Sequence, residues 1–250
     1  MKNMLEKNNN IEKWDFWIDR GGTFTDIVAR DPSGKIFTNK MLSENARLYE
    51  DAGMEGIKRF LKIPHDAKIP TDSINSIKMG TTVATNALLE RKGFPVVLLT
   101  TKGLRDQLRI AYQNRPNLFD RKIILSDPLY DHIIEVEERV TSTGDIIRPL
   151  NKEKLFNDLR KVKNRKEKSC AIVFMHSCKF SNHEREAEEV AKGLGFSYVS
   201  VSYRTSQIMK YVMRGDTTVA DAYLSPVLNK YIENLYSEFD GDVSSKISFM

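Results

Sequence analysis

The stretch Ile18-Asp19-Arg20-Gly21-Gly22-Thr23-Phe24-Thr25-Asp26 decides how the chain is read. It sets a carboxylate, two glycines, two hydroxyls and a second carboxylate on a tight β-hairpin. Trp14, Phe16 and Ile18 precede it in alternation, and Phe24, Ile27 and Val28 follow, the pattern of strands with a buried face. Glycine at 21 and 22 permits positive φ and lets backbone N–H groups approach a ligand with no Cβ in the way. Asp19, ending an apolar strand, suits a hydrated Mg²⁺, and the threonines suit phosphate oxygens. An ordinary hairpin turn with solubilising side chains also contains Gly-Gly-Thr. It is the nine-residue order of acid, glycine and hydroxyl that points to phosphate.

Working outward, Asp31-Pro32-Ser33-Gly34 predicts a turn into a third antiparallel strand over 35–40. Ser43-Glu44-Asn45-Ala46 predicts the opening of a helix whose stripe includes Tyr49, Met54, Ile57 and Phe60, closed by Pro64. Strands are expected over 74–79, 95–100, 171–175 and 196–201, with helices over 82–92 and from Ser181. Ser181 and Glu184 fit a capping box. This alternation predicts an α/β fold with helices packed on a sheet. Residues 106–150 interrupt it as an excursion near the ligand, with a hairpin across Thr141–Asp145. From Val219 an apolar face at helical spacing follows, with Pro226 kinking or restarting the helix, and then a strand-like segment over 246–250. The predicted boundaries are a disordered polar tail over 1–13, a domain over 14–222, and a helical lead-in to a further lobe over 223–250.

Composition narrows the function classes. The 250 residues are 40% hydrophobic and 29% charged, ordinary for a soluble globular chain with a substantial core. The net charge of +5 suits an anionic ligand. Much of the excess lies in one run over 160–168, which reads as a helix C-terminus and solvated connector. No aromatics are interleaved there for base stacking, so a nucleic-acid role is not expected. No apolar run approaches bilayer-spanning length, and residues 1–13 lack a signal-peptide core, so cytosol is the default and no membrane partner is expected. The two cysteines, Cys170 and Cys178, have no metal-ligand spacing and read as reduced thiols. His176 and His183 form no metal-binding pattern.

Two further segments carry candidate chemistry. In Met79-Gly80-Thr81-Thr82-Val83-Ala84-Thr85-Asn86 a strand ends, Gly80 turns, and Thr81 or Thr82 caps a helix whose N-terminus favours an anion. Thr85 and Asn86 lie one turn along and reach the same space. A well-capped helix whose hydroxyls serve only its own backbone is the competing reading. In Arg214-Gly215-Asp216-Thr217 a turn into a helix is expected, with Arg214 either neutralising substrate or phosphate charge or serving the cap.

These segments resemble the N-terminal region of the hydantoinase A/5-oxoprolinase family. The resemblance rests on 18–26, 79–93, Met175-His176-Ser177, Arg214–Thr217 and Ala220–Leu224, and runs from about Trp14 to the last residue. Arg20, Met41–Glu44, Tyr49–Ala52, Glu55–Ile57 and Glu135–Val140 are similar to the eukaryotic 5-oxoprolinase branch. The resemblance implies an actin-like (ribonuclease H-like) ATPase fold, with the first hairpin as a phosphate loop. It implies ATP and Mg²⁺ as cofactors and ATP-dependent opening of 5-oxoproline, or a related cyclic amide, to L-glutamate. Phosphorylating the amide oxygen makes a poor electrophile open to water. On that basis Asp19 organises Mg²⁺, Arg20, Gly21, Gly22 and Thr23 cradle the nucleotide phosphates, and Thr25 and Asp26 complete the loop or position water. Either Asp19 or Asp26 could bind the metal. Gly80, Thr81, Thr82, Thr85, Asn86 and Arg214 become substrate or phosphate candidates.

The chain holds no second Asp-x-Gly-Gly-Thr after Asp26, so the opposing lobe is expected from a missing C-terminal portion or a partner subunit, with weak or no turnover alone. A homodimer is a further partner expectation. A hydantoinase subunit and a non-catalytic truncated module are the alternatives. A sugar kinase fits poorly, because the second segment is unlike a kinase's sugar site.

Overall fold

The computed structural model describes residues 13–45, 47–114, 117, 119, 121–163 and 169–250. Except for Lys13, the tail predicted over 1–13 lies outside them, as do Ala46 and the 164–168 part of the basic run.

Short strands with one apolar face pair first with their sequence neighbours. β1 (Trp14–Arg20), β2 (Phe24–Arg30) and β3 (Ile36–Leu42) form the expected antiparallel meander. Its second turn is the predicted one: the Gly34 N–H donates to the Asp31 carbonyl at φ +87°, a conformation glycine takes without strain.

The next helix does not open at Ser43. It begins nine residues later as α1 (Ala52–Leu61), where the Asp51 carboxylate accepts from the Gly53 and Met54 N–H groups at 2.9 and 3.1 Å. Serine and aspartate cap equally well, but Ser43 is held by the first hairpin, as described below. Lys62, at φ +55°, ends α1 ahead of Pro64. β4 (Ile74–Thr81) then runs parallel to β1, and α2 (Val83–Leu89) follows, shorter than predicted.

A second sheet now intervenes. β5 (Val96–Thr101), α3 (Gln107–Ile110), β6 (His132–Val136), β7 (Arg139–Val140), β8 (Ile146–Arg148), α4 (Lys152–Lys163), β9 (Ser169–Val173), α5 (Asn182–Gly193), β10 (Val199–Val201) and α6 (Ser202–Thr205) follow in chain order. Four of these strands form an all-parallel sheet in the order β10-β9-β5-β6. Every residue of β5 and β9 is buried, as parallel strands covered on both faces require. β7 and β8 form the hairpin expected across Thr141–Asp145.

The last helix starts earlier than its apolar stripe suggests. α7 (Tyr211–Ser237) is continuous through Pro226, so Arg214–Thr217 is helix interior and not a turn. β11 (Ile247–Phe249) pairs in parallel with β4, completing a mixed sheet in the order β11-β4-β1-β2-β3. The chain therefore forms two compact units, residues up to Glu90 with Leu228–Met250, and Arg91–Val227 inserted between them in sequence. This differs from the expected 14–222 domain with a trailing lead-in. Leu235, Phe239, Val243 and Ile247 belong to the same core as Phe16, Ile57 and Ile77, so the C-terminal residues complete the first unit.

Within the inserted unit the ends of the segment meet: the Phe94 N–H donates to the Tyr223 carbonyl at 2.9 Å, and Gly93 lies against the Tyr223 ring. The capping box at Ser181 is absent. Glu184 is fully buried and accepts from the Phe174 N–H (2.8 Å), the Ser202 hydroxyl (2.6 Å) and the Tyr203 N–H (3.0 Å). Burial pushes its carboxyl above the usual range. Both cysteines are free, and Cys170 is buried.

Candidate functional site

The candidate site lies in the first unit, where the β1–β2 turn and the β4–α2 turn come together. Sheet register sets Gly80 beside Asp19, Asp19 beside Asp26, and Asp26 beside Lys40, one level across four strands. Cross-strand neighbours share a face, so both carboxylates stand on the same side of the sheet. Asp19 is exposed, and among the described residues no group hydrogen-bonds its carboxylate. Asp26 differs, with both oxygens 3.0 Å from the Lys40 ammonium. Of the two, Asp19 is the acid left open for a cation.

The glycine turn is built by contact and not by unusual dihedrals. Neither Gly21 nor Gly22 adopts left-handed φ, contrary to expectation. A Cβ on Gly21 would stand 3.0 Å from the Phe24 carbonyl oxygen, and one on Gly22 would stand 3.2 Å from the Asn86 side-chain nitrogen. Space therefore selects glycine here. The Gly21 N–H is spent on the Phe24 carbonyl at 3.1 Å. Among the described residues no acceptor takes the N–H of Gly22 or Thr23, leaving two adjacent donors at the mouth of the turn.

Ser43, expected at the opening of a helix, pins this turn instead. Its N–H donates to the Thr23 carbonyl at 2.8 Å and its hydroxyl to the Gly21 carbonyl at 2.7 Å. With that proton committed, the Thr25 hydroxyl is the donor in its 3.0 Å contact with Ser43 Oγ. Thr25 is fully buried and its hydroxyl serves the loop, so of the two roles expected for it, completing the loop or positioning water, the geometry leaves the first.

Arg20 also turns inward. Its Nε donates to Asp51 Oδ2 at 3.1 Å, and its guanidinium lies 5.4 Å from the Tyr231 ring centre. The Tyr231 hydroxyl reaches the same Asp51 oxygen at 3.4 Å. Burial, followed by the Asp51 charge, pushes the Tyr231 phenol upward. Arg20 thus ties β1 to the cap of α1, where the sequence suggested phosphate contact. Neither Asp51 nor Tyr231 carried a local signal of this role, because each is defined by a partner distant in sequence.

On the opposite side, Thr82 donates through its N–H (3.2 Å) and hydroxyl (3.3 Å) to the Arg20 carbonyl. The Asn86 amide donates to Thr82 Oγ1 at 3.2 Å, which sets it against Gly22. Thr81 Oγ1 accepts from the Val83 N–H at 3.3 Å, and the Thr85 hydroxyl bonds back to the Thr82 carbonyl at 2.9 Å. The structure therefore brings Gly80, Thr81, Thr82 and Asn86 to the glycine turn, while Thr85 serves its own helix.

Arg214 does not join them. It belongs to the inserted unit and is 1% exposed. Its donors go to Ser202 Oγ and the carbonyls of Ile208, Met209 and Phe174 at 2.9–3.2 Å. An interior helix position with every nitrogen engaged explains why it is a structural strut and not a charge neutraliser.

Among the described residues there is no group of three or more acidic, histidine or cysteine side chains able to hold a metal. No helix of the described residues is long and apolar enough to cross a membrane.

The sheet orders and the phosphate-sized turn define an actin-like (ribonuclease H-like) α/β fold. Residues 15–195 match the family described as the hydantoinase/oxoprolinase N-terminal region. The chain belongs to that family. It is 40% identical over 256 residues to 5-oxoprolinase 1 of Arabidopsis thaliana, covering 91% of this chain and 20% of the relative. It is likewise 40% identical over 267 residues to 5-oxoprolinase of Dictyostelium discoideum, covering 94% of this chain and 21% of that one. The crystal structure of ATP-dependent caprolactamase from Pseudomonas jessenii superposes with a TM-score of 0.76 at 27% identity, covering 94% of this chain and 35% of that chain. The chain spans about a fifth of the length of these two curated relatives.

Proposed function

We propose that this chain supplies one side of the ATP and Mg²⁺ site of a cyclic-amide hydrolase, and that the amide is 5-oxo-L-proline, opened to L-glutamate. The observation that carries this is the unpartnered Asp19 carboxylate beside two free N–H groups at Gly22 and Thr23. A carboxylate for the metal and amides for phosphate are the two things a nucleotide phosphate group requires. The 40% identity to two 5-oxoprolinases supports the substrate assignment.

In this scheme Asp19 is the metal-side carboxylate, and the Gly22 and Thr23 N–H groups donate to phosphate oxygens. Gly21, through its bond to Phe24, and Thr25, through Ser43, hold the turn in shape. Thr81, Thr82 and Asn86 line the facing wall, and Asp26 with Lys40 sets the local charge balance. Bound Mg²⁺ supplies positive charge that offsets the triphosphate. Phosphoryl transfer is catalysed by positioning and charge stabilisation from more than one direction. This chain's residues therefore provide the metal-side and loop-side contacts only, with the rest coming from a further lobe or subunit.

The test replaces the matching region of the Dictyostelium relative with this chain and follows ADP release. Release driven by 5-oxoproline and abolished by Asp19→Asn is the expected result. A folded chimera that binds Mg-ATP but ignores 5-oxoproline would overturn the substrate, and preference for hydantoin would move the assignment to a hydantoinase. Mg-ATP binding left unchanged by Asp19→Asn would overturn the site.

A further inference from the structure

The carboxyl ends of parallel strands in open α/β sheets leave crevices where the following loops diverge. In the inserted unit, β5 and β6 are adjacent parallel strands, ending at Thr101 and Val136. Their loops are firmly held. The Lys102 N–H donates to the Val136 carbonyl at 3.0 Å, and the Gly103 N–H donates to the Glu135 carboxylate at 2.8 Å. Glu138, 2% exposed, is fixed from below, with Oε2 2.7 Å from His183 Nδ1 and Oε1 accepting from the Thr101 hydroxyl.

These walls, with the β7–β8 hairpin, border an open cleft of about 410 Å³ lined by Lys102, Leu104, Glu138, Arg139, Ile147 and Arg148. Arg139 and Arg148 are direct cross-strand partners. Like charges in that arrangement repel. Among the described residues neither guanidinium has a hydrogen-bonding or ion-pairing partner, whereas Arg20, Arg30, Arg59, Arg204 and Arg214 all have one. Lys102 adds a further positive charge, and the nearby Glu137 carboxylate is already shared between Lys102 and Lys154.

We infer that this cleft is a binding site for a small organic monocarboxylate, held by Arg139 and Arg148. Two adjacent guanidinium forks match the planar, bidentate geometry of a carboxylate. Leu104 and Ile147 offer an aliphatic wall for a short carbon skeleton. Ile147 is 70% exposed despite lying on that wall, which is apolar surface a ligand would cover. The Glu138 side chain is fully buried with both oxygens engaged, so the charge the cleft presents is that of its cations, and the aliphatic wall is what favours a short organic acid over inorganic phosphate. The site is independent of the nucleotide assignment, since all of its residues belong to Arg91–Val227.

The experiment titrates the full chain at low salt with butyrate and, separately, with inorganic phosphate, following the arginine side-chain N–H resonances. Butyrate is expected to shift the Arg139 and Arg148 signals saturably. The double variant R139Q/R148Q should weaken binding by about tenfold or more, and R139K/R148K should also weaken it, because lysine keeps the charge without the fork. R160Q, which removes a positive charge on α4 away from the cleft, should leave it unaltered. Far-UV circular dichroism checks that each variant is folded. No saturable shift, equal binding by the double glutamine variant, equal weakening by R160Q, or tighter binding of phosphate than of butyrate would each overturn the assignment.

Discussion

Replacing Asp51 with alanine removes two interactions that meet on one carboxylate. Oδ1 accepts the N–H groups of Gly53 and Met54 and so caps α1, while Oδ2 receives Arg20. Loss of an aspartate cap costs about 1 kcal/mol. The ion pair is largely buried, with side-chain exposures of 13% and 16%, so little of its strength is lost to solvent. A hydrogen bond to a charged group contributes about 1.5–3 kcal/mol, and its loss leaves the Arg20 guanidinium over Tyr231 without a partner. Together, Asp51→Ala should destabilise the first unit by about 3 kcal/mol. Asp51→Asn keeps the cap, since asparagine caps as well as aspartate, and loses only the charge, so its cost should be about 1 kcal/mol smaller. Urea unfolding followed by tryptophan fluorescence reads this unit directly, because both tryptophans, Trp14 and Trp17, lie on β1. If the two variants have equal midpoints, the cap contributes nothing. If Asp51→Ala costs under about 1 kcal/mol, Arg20 is not held as described and the argument fails.

Asp19→Asn should leave urea stability within about 0.5 kcal/mol of the parent, because the carboxylate is exposed and unbonded, yet abolish Mg-ATP binding in calorimetry. A large stability loss would show that Asp19 is structural. Gly93→Ala places a Cβ 2.0 Å from the buried Tyr223 ring and should cost about 1–3 kcal/mol through overpacking, seen as a lowered thermal midpoint by circular dichroism. An unchanged midpoint would mean the ring moves freely. Hydrogen bonds from Lys154 and Lys102 lower the Glu137 carboxyl from 4.5 to about 2. Its folded value lies below its unfolded one, so its contribution is present above pH 4.5 and lost as pH falls toward about 2. Glu137→Gln should flatten the fall of thermal stability across that window, and a slope equal to the parent's would count against the pair of lysine contacts.

The first hairpin was legible because everything that defines it is local: alternation, two glycines and flanking acids within nine residues. Gly80–Asn86 was legible as a strand, a turn and a helix start, but its place beside the first hairpin comes from the parallel pairing of β4 with β1, which no local pattern carries. What escaped depended on partners far along the chain. Ser43 carries the chemistry of a cap, but Gly21 and Thr25 claim its hydroxyl. Ser181 and Glu184 have capping-box spacing, yet the N–H groups of Phe174 and Tyr203 draw the glutamate inward. Arg214 follows a plausible turn sequence, but tertiary packing keeps its segment helical. The two-unit division was hidden for the same reason, because β11 finds β4 only across the whole inserted segment.

That last pairing bears on how the chain reaches its native state. Joining β11 to β4 in an unfolded chain closes a loop of about 170 residues, whereas a prefolded insertion leaves about 40, and the logarithmic closure law makes the difference about 1 kcal/mol. The Phe94–Tyr223 bond makes the inserted unit a staple, because folding it brings the residues that enter β5 next to helix α7, where the segment leaves. The order of assembly follows: the middle of the chain folds first, and the sheet bearing the glycine turn closes last. Until β11 pairs, Met79 and Ile77 lack the strand that covers β4's edge, and the sheet stays open to edge-to-edge aggregation.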